Sequence, residues 1–197
     1  MSNIVKNFSD LDLSKQYTYS DYLLWQFSER VELIKGFIKK MSPAPNVNHQ
    51  RISQNINFEI LSLFKNDSCA VFVAPFDVRL PIPYAKKNTT VVQPDLCIIC
   101  DEAKLDEQGC NGAPDLIVEI LSPNNSKHDV DTKFKLYEES GVKEYWIVEP
   151  NERLVLVYTL QNNTYIGLKP FTEGEIIVSP LFPDLKVEVT EAFKNVK

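Results

Sequence analysis

Two apolar segments in the middle of the chain constrain its fold more than any other feature. Residues 91–100 read VVQPDLCIIC and residues 116–121 read LIVEIL, and each contains or follows a Pro-Asp pair. Continuous apolar runs of this length are typical of strands that are covered on both faces. A helical pattern at 127–140 follows and leads into a third apolar run at 145–148. This order predicts an α/β (α+β) fold with a central mixed β-sheet flanked by helices.

The flanking segments predict further helices and hairpins. Between His49 and Phe64 the apolar residues recur at helical spacing, which predicts a helix packed on the sheet. The other predicted elements are a short helix at 18–28, an N-terminal hairpin at 31–34 and 37–41, a strand at 70–80, a loop at 101–112 and a C-terminal hairpin at 154–160 and 164–168. The two hairpins are expected to be additions to the central core.

Length and hydropathy indicate how many domains the chain has and whether it crosses a membrane. A chain of 197 residues with 44% hydrophobic residues usually folds as one unit, so we expect a single domain over 1–197. No apolar run approaches the ~20 residues of a membrane span, and the N-terminus lacks a basic flank followed by an apolar stretch. We therefore expect a cytoplasmic protein without a membrane segment.

The four cysteines, Cys69, Cys97, Cys100 and Cys110, would permit two disulfides. Three of them lie in or beside apolar strand candidates, and the chain is unlike a small disulfide-stapled scaffold, so all four are predicted to be reduced. Cys97 and Cys100 have CxxC spacing, but residues three apart on a strand face opposite sides, which argues against a shared zinc ion.

The net charge of −6 argues against a protein that coats nucleic acid, because non-specific binding needs a basic surface. It does not exclude an enzyme that acts on phosphodiesters, since a metal site itself adds acidic residues. The short basic pairs Lys39-Lys40, Lys86-Lys87 and Lys127-His128 are either solvated surface or part of the lining of a groove.

Carboxylates inside the apolar segments indicate chemistry, because a buried charge costs several kcal/mol unless a partner compensates it. Glu119 has apolar neighbours throughout its strand, and Asp95 opens the other central strand. Neighbouring strands are only ~4.8 Å apart, so these two carboxylates can converge on one cation. Asp115 lies roughly 13 Å from Glu119 along its strand, too far to share an ion, and is expected to anchor the preceding loop. A water-facing edge or a lysine partner would also explain Glu119.

Lys133 adds a cation to the two carboxylates. It lies three residues after Val130 and four before Tyr137, within the inward stripe of the predicted helix. A salt bridge to Asp129, one turn earlier, would also explain it. Two inward carboxylates and an inward lysine in adjacent elements match the needs of metal-assisted hydrolysis, in which the lysine orients water or stabilises developing phosphorane charge.

Several motifs together resemble the signature of the Uma-two family. They are ELIKG-x4-MSPAP, His49-Gln50, VVQPDL, GAPDLIVEILSP, Asp129-x3-Lys133-x3-Tyr137 and GVKEYWIVEP. The resemblance covers about residues 17–193, which it identifies as the ordered core. It implies a bacterial protein of the restriction endonuclease-like PD-(D/E)XK superfamily. Glu32 and His49-Gln50 match further motif positions that the resemblance places at the site. A structural histidine at the start of the helix is the alternative for His49.

The resemblance also implies roles for individual residues. Asp95 matches the metal-binding Asp of the superfamily and Glu119 its Glu, with the Ile120 carbonyl as a further ligand and Mg²⁺ (or Mn²⁺) as the ion. The superfamily usually has its lysine two residues after the Glu, where this chain has Leu121. In this family the lysine lies in the following helix, which matches Lys133.

Two functions are consistent with these observations. The first is a metal-dependent endonuclease in which Asp95 and Glu119 hold the ion and Lys133 positions or activates water for attack on a DNA phosphate. The second is a catalytically silent nuclease-like module that binds nucleic acid or a partner protein, which the negative charge and Leu121 favour. By analogy with the superfamily, cutting of both strands would suit a homodimer.

Overall fold

The computed structural model describes residues 4–41, 45–65, 68–83, 89–122 and 127–197. The helices are α1 (Tyr19–Tyr22), α2 (Val47–Phe64), α3 (Lys127–Ser140) and α4 (Val189–Ala192). The strands are β1 (Val31–Ile34), β2 (Phe37–Lys40), β3 (Ala70–Val73), β4 (Val78–Arg79), β5 (Val91–Val92), β6 (Leu96–Ile99), β7 (Leu105–Asp106), β8 (Gly109–Asn111), β9 (Leu116–Ile120), β10 (Glu144–Glu149), β11 (Leu154–Gln161), β12 (Thr164–Gly167), β13 (Phe171–Thr172), β14 (Ile176–Val178) and β15 (Lys186–Glu188). Within these ranges, no helix has the length and apolar character required to cross a bilayer.

The central sheet has the strand order β12-β11-β10-β9-β6-β3, with β13 paired to β11. β9 and β10 run parallel, whereas the other pairs among its described strands are antiparallel. A parallel pair needs a crossover connection, and α3 lies in the connection between β9 and β10. The sheet is therefore mixed, as predicted, and helices and strands form an α+β fold.

Side chains of β9 alternate between two apolar layers. Leu116, Val118 and Ile120 pack with α2, whereas Ile117 packs with α3. The inward ridge of α2 consists of Ile52, Ile56, Ile60 and Phe64, all of which are buried. Complete burial of each such side chain contributes about 1.5–3 kcal/mol. Because side chains alternate along a strand, Glu119 lies on the α3 side of the sheet.

A second sheet covers the α3 side of the molecule. Its six described strands have the order β2-β1-β5-β4-β8-β7. Val78, Val92 and Cys110 from this sheet share an apolar cluster with Leu136 and Tyr137 of α3. The predicted N-terminal hairpin, β1 and β2, forms one edge of this sheet. The space between the two sheets and α3 is therefore where inward polar residues of β1 and β9 can meet.

The chain passes between the two sheets at two prolines. Single strands were predicted at 70–80 and 91–100, but each is divided: β3 and β6 belong to the central sheet, and β4 and β5 to the second. Pro75 and Pro94 lie at the interruptions, and proline has no N–H to donate to a strand ladder. Asp95 follows Pro94, so it lies where the chain enters the central sheet.

Other boundaries also differ from the sequence prediction. α1 ends at Tyr22, well before the predicted residue 28, and begins with a capping box formed by Thr18 and Asp21. The predicted loop at 101–112 contains the β7–β8 hairpin, and β8 pairs in parallel with β4. The acidic composition of this segment hid the hairpin, and the pairing of β8 with β4 joins residues that are distant in sequence.

The prediction that all four cysteines are reduced is wrong for two of them. Cys69 and Cys100 form a disulfide, whereas Cys97 and Cys110 are free and buried. The antiparallel register of β3 and β6 brings the residue before β3 opposite the residue after β6. The pattern within one strand does not reveal this contact, because it depends on which strands are neighbours.

Glu144 is a buried carboxylate that joins the C-terminal segment to the central sheet. Its Oε1 accepts a hydrogen bond from Trp146 Nε1 at 2.6 Å. Its Oε2 accepts from Ser179 Oγ and from the Leu181 amide, both at 2.8 Å. Burial raises the pKa of Glu144, and the three donors act in the opposite direction. The carboxylate thus satisfies three donors from two parts of the chain.

Glu144→Ala is expected to lower the free energy of unfolding by roughly 1–3 kcal/mol, because three donors lose their buried acceptor. Glu152→Ala is the matched control, since Glu152 is exposed in the turn before β11, and it should change stability by less than about 0.5 kcal/mol. Urea unfolding followed by circular dichroism measures both. Equal stability of the two variants would contradict this assignment.

Candidate active site

Asp95 and Glu119 lie across from each other on neighbouring strands. β6 and β9 are antiparallel, and the pairing of Leu96 with Val118 places Asp95 opposite Glu119. Asp95 Oδ2 accepts a hydrogen bond from the Ile120 amide at 2.8 Å, which fixes the carboxylate against β9. The central sheet therefore brings together the two carboxylates that the sequence places at one site.

Lys133 reaches Glu119 from α3. Its Nζ lies 2.7 Å from Glu119 Oε1 and 3.1 Å from Glu32 Oε1. Asp129, the alternative partner considered for Lys133, instead pairs with Lys39 at 2.5 Å. The lysine is therefore directed to the strand carboxylates and joins α3 to both sheets.

Glu32 and Tyr137 complete the surroundings of this ion pair. Glu32, on β1, is only 3% exposed, and its Oε1 also accepts from the Gln93 amide at 3.1 Å. The Tyr137 hydroxyl donates to Glu119 Oε1 at 2.6 Å. Since Tyr137 lies one helical turn after Lys133, both donors reach the same oxygen from α3.

His49, at the start of α2, contacts two of the predicted metal ligands. Its Nε2 lies 3.1 Å from the Ile120 carbonyl oxygen and 3.3 Å from Asp95 Oδ2. Both neighbours are acceptors, so this nitrogen carries a proton. Burial lowers the pKa of His49, but hydrogen bonding and charge from Asp95, with the Ile120 carbonyl, outweigh it and raise the pKa overall. Nδ1 is buried without a partner among the described residues.

The cluster contains more carboxylates than permanent cations. Three carboxylates, of Glu32, Asp95 and Glu119, surround one permanent cation, Lys133, with His49 beside them. Burial raises the pKa of Glu119; Lys133 opposes this shift, and the charges of Asp95 and Glu32 add to it. Burial would lower the pKa of Lys133, but Glu119 and Glu32 outweigh it and raise the pKa. The lysine thus stays protonated while the carboxylates repel one another.

Each strand carboxylate is held through one oxygen only. Asp95 is bound through Oδ2, and Glu119 through Oε1. Asp95 Oδ1 and Glu119 Oε2 accept no hydrogen bond from the described residues. Nor do any three His, Cys, Asp or Glu side chains in the described ranges form a metal site by themselves. A cation here would therefore need further oxygens from the backbone, solvent or substrate, as Mg²⁺ commonly does.

These residues line a cleft of about 500 Å³. The lining also includes three cations and a polar face of α2, namely Arg30, Lys39, Lys40, Gln50, Ser53, Gln54 and Asn57. Of the basic pairs noted in the sequence, Lys39-Lys40 lines the cleft and Lys127-His128 does not. Lys86-Lys87 lies outside the described residues, as do residues 42–44 of the MSPAP motif. The cleft thus places positive charge beside the carboxylate cluster.

Asp115 makes the anchoring contacts that its position suggested. Its Oδ2 accepts from the Cys100 amide at 2.8 Å, and its Oδ1 lies 2.6 Å from Lys143 Nζ. Burial raises the pKa of Asp115, but Lys143 and the Cys100 amide outweigh it and lower the pKa overall. Asp115 therefore fixes the end of β6 to the start of β9, away from the cleft.

The sequence analysis missed, or identified only in part, the roles of three residues at the site. Glu32 shows the same signal as Glu119, an isolated carboxylate within an apolar strand, and could have been ranked with it. Tyr137 was predicted to face inward, but its bond to Glu119 depends on how α3 packs on β9. Gln93 contributes a backbone amide, which no side-chain pattern reveals.

Comparison with known proteins identifies the family of the chain and its fold. Residues 19–190 match the model of the Uma2 family, described as "Putative restriction endonuclease". The chain belongs to the Uma2 family. No curated protein matches this Uma2 chain. Among solved structures, an Anabaena variabilis protein described as "a putative nuclease belonging to DUF820" has a TM-score of 0.69 and 22% identity, covering 90% of this chain and 97% of that one. The likeness confirms the predicted restriction endonuclease-like fold.

Lys133→Met in this Uma2 protein is expected to lower the free energy of unfolding by about 3–5 kcal/mol, because Glu32 and Glu119 lose their shared cation. Lys135→Met is the matched control, since Lys135 is exposed on the same helix, and it should change stability by less than about 0.5 kcal/mol. Urea unfolding measures both. Adding Glu32→Gln to Lys133→Met should recover part of the loss, and no recovery would contradict the charge argument.

Proposed function

We propose that this Uma2 protein is a metal-dependent endonuclease that hydrolyses phosphodiester bonds in DNA. The observation that supports this most is the cluster of Glu32, Asp95 and Glu119 around a single permanent cation, Lys133. A divalent cation would stabilise the ionised form of these carboxylates. The family's description as restriction endonucleases supports a nucleic acid substrate.

The donor set fits Mg²⁺ (or Mn²⁺), which prefers hard oxygen ligands. Asp95 through Oδ1, Glu119 through Oε2 and Ile120 through its carbonyl would hold the ion. The Ile120 carbonyl has two lone pairs, so it can accept from His49 and still bind a cation. When bound, the ion would polarise the scissile phosphate and assist the formation of the nucleophile from water.

Lys133 acts in this proposal as a fixed cation and not as a base, because Glu119 and Glu32 raise its pKa despite burial. Two of its three N–H groups are directed at Glu119 and Glu32. The third remains to orient the attacking water or to stabilise charge that develops on a phosphate oxygen. Tyr137 holds the Glu119 carboxylate in place through Oε1, which leaves Oε2 for the ion.

The cations that line the cleft would bind the DNA backbone. Arg30 is exposed, Lys40 lies 5.3 Å above the Phe8 ring, and Lys39 is paired with Asp129. Phosphates on both sides of the cleavage point would contact these groups. Since the net charge of the chain is −6, this binding would be confined to the cleft.

Mg²⁺ at about one hundred times its dissociation constant is expected to raise the free energy of unfolding by about 2.7 kcal/mol, because the ion binds only the folded site. Asp95→Asn should abolish this increase and the heat of Mg²⁺ binding measured by calorimetry. Asp131→Asn is the matched control, since Asp131 is exposed on α3, and it should behave like the wild type. Mg²⁺ binding that Asp95→Asn leaves intact would exclude Asp95 as a ligand.

Plasmid cleavage tests the reaction itself. The wild type should nick or linearise plasmid DNA with Mg²⁺ or Mn²⁺ but not with EDTA, and Glu119→Gln should lose at least about 100-fold in rate, because it removes a ligand charge. Linear product formed without a nicked intermediate would support a homodimer with two active sites. Metal-independent or unaltered cleavage by Glu119→Gln would refute the mechanism.

The silent nuclease-like module is the alternative that these experiments distinguish. It is favoured by Leu121 at the usual lysine position and by the two ion pairs that hold Lys133. A silent module would bind DNA or a partner protein without cleavage, and it need not bind Mg²⁺. Absence of Mg²⁺ binding by the wild type would therefore favour it.

A further inference from the structure

A second cavity, of about 370 Å³, lies beside the cleft of the candidate active site. We call it the aromatic cavity, because its lining includes the rings of Tyr22, Trp25 and Phe27. Arg30, Pro75 and Gln93 line both the cleft and this cavity, so the two are direct neighbours. A strand that occupies the cleft can therefore reach the aromatic cavity with an adjacent group.

We propose that the aromatic cavity binds an unpaired nucleobase of the DNA strand whose phosphate occupies the cleft. This inference rests on the proposed function and specifies its substrate, which is DNA that is single-stranded or locally unpaired next to the cleavage point. The aromatic cavity would bind the base, and Arg30 at the shared wall would bind the phosphate that connects it to the cleft.

Trp25 is the centre of a cluster of rings in the N-terminal segment. It stacks on Phe27, with ring centroids 5.8 Å apart and planes inclined by 27°. It also contacts Tyr22 at 5.5 Å and meets Tyr17 edge-on at 5.4 Å. These neighbours hold the indole in one orientation while it stays half-buried. A fixed, partly exposed indole is a surface on which a base can stack, because every base has a π-face.

Hydrogen bonds fix the boundary between the cleft and the aromatic cavity. Gln93 Oε1 accepts from Arg30 at 3.0 Å, and Gln93 Nε2 donates to Asp77 Oδ1 at 2.8 Å. The same Asp77 oxygen accepts from the Tyr22 hydroxyl at 3.3 Å. The Gln93 backbone amide donates to Glu32 of the carboxylate cluster. Base-binding and catalytic groups thus share one network, which sets their relative positions.

The lining favours a nucleobase over a phosphate or a purely apolar group. Glu29 places a carboxylate in the lining, which repels phosphate but can accept a hydrogen bond from an exocyclic amino group. Arg30 and Gln93 add polar groups at the shared wall, whereas the rings provide apolar surface. A cavity of this size lies within the range of small-ligand pockets, about 300–1,000 Å³.

A paired base cannot enter such a cavity. In a duplex, neighbouring bases cover its faces, and its partner occupies its hydrogen-bonding edge. The base must therefore be unpaired before binding or flipped out during it. Because stacking tolerates any base, the expected preference concerns the structure of the strand and not its sequence.

Binding is tested on the full chain in EDTA, so that cleavage does not interfere. A short oligo-dA strand should quench the fluorescence of Trp25, since the only other tryptophan, Trp146, is fully buried and bonded to Glu144. An abasic strand of the same length carries the same phosphates and should bind at least about tenfold more weakly, without quenching. Equal affinity for the two strands, or binding of neither, would overturn the proposal.

Variants at Trp25 distinguish the loss of base stacking from a defect in folding. Trp25→Ala should weaken oligo-dA binding roughly 10- to 100-fold in an anisotropy assay with labelled DNA, while its affinity for the abasic strand stays unchanged. Trp25→Phe keeps an aromatic face and should retain most of the affinity, although the quenching is lost. If Trp25→Ala does not fold, Trp25→Leu in the same assay replaces it. Equal affinity of Trp25→Leu and Trp25→Phe would overturn the proposal.

Failure of this inference is distinguishable from failure of the proposed function. Base-dependent binding without metal-dependent cleavage would leave the aromatic cavity supported and refute the endonuclease. Metal-dependent cleavage with equal binding of oligo-dA and abasic strands would refute the aromatic cavity and leave the endonuclease supported. Faster cleavage of a plasmid or oligonucleotide duplex than of single-stranded DNA would count against the inferred substrate.

Discussion

The ammonium of Lys133 is the contact on which the arrangement of the site depends. It lies between Glu119 of the central sheet and Glu32 of the second sheet, and it belongs to α3, which shares an apolar cluster with residues of both sheets. A buried ion pair is costly unless geometry and further hydrogen bonds compensate it, and here Tyr137 and the Gln93 amide supply them. The same contact fixes the layers of the fold and concentrates carboxylates in the cleft.

The central sheet could be predicted from sequence because its strands are covered on both faces. Apolar runs then identify β6, β9 and β10 directly, and the helical period identifies α2 and α3. The second sheet could not be predicted in the same way, because β4 and β5 have two residues each and continue apolar segments of the first sheet. Their separation depends on Pro75 and Pro94, and the Cys69–Cys100 disulfide depends on strand neighbours that no local pattern specifies.

At the candidate site too, some features could be predicted from local sequence patterns, whereas others depend on contacts between distant parts of the chain. Asp95 and Glu119 were recognisable as isolated carboxylates, and their juxtaposition followed from the spacing of neighbouring strands. Lys133 was recognisable by its place in the inward stripe, but its partner was not, since Asp129 is closer to it in sequence than Glu119 is. The contribution of Glu32 required the second sheet. Local patterns therefore identified the charged groups, whereas the tertiary fold determined which of them are paired.

Positions 121 and 133 lie in different elements, but a lysine at either position can approach Glu119. Side chains two residues apart on a strand point to the same face of the sheet. A lysine at position 121 would therefore lie on the same side as Glu119. α3 packs over that side, with Tyr137 in the same apolar cluster as Ile117. A lysine one turn before Tyr137 therefore reaches the same oxygen, at 2.7 Å. Leu121 then lines the cleft as an apolar residue. Because the function of a cation depends on where its charge lies, a lysine on the helix is compatible with the reaction that we propose.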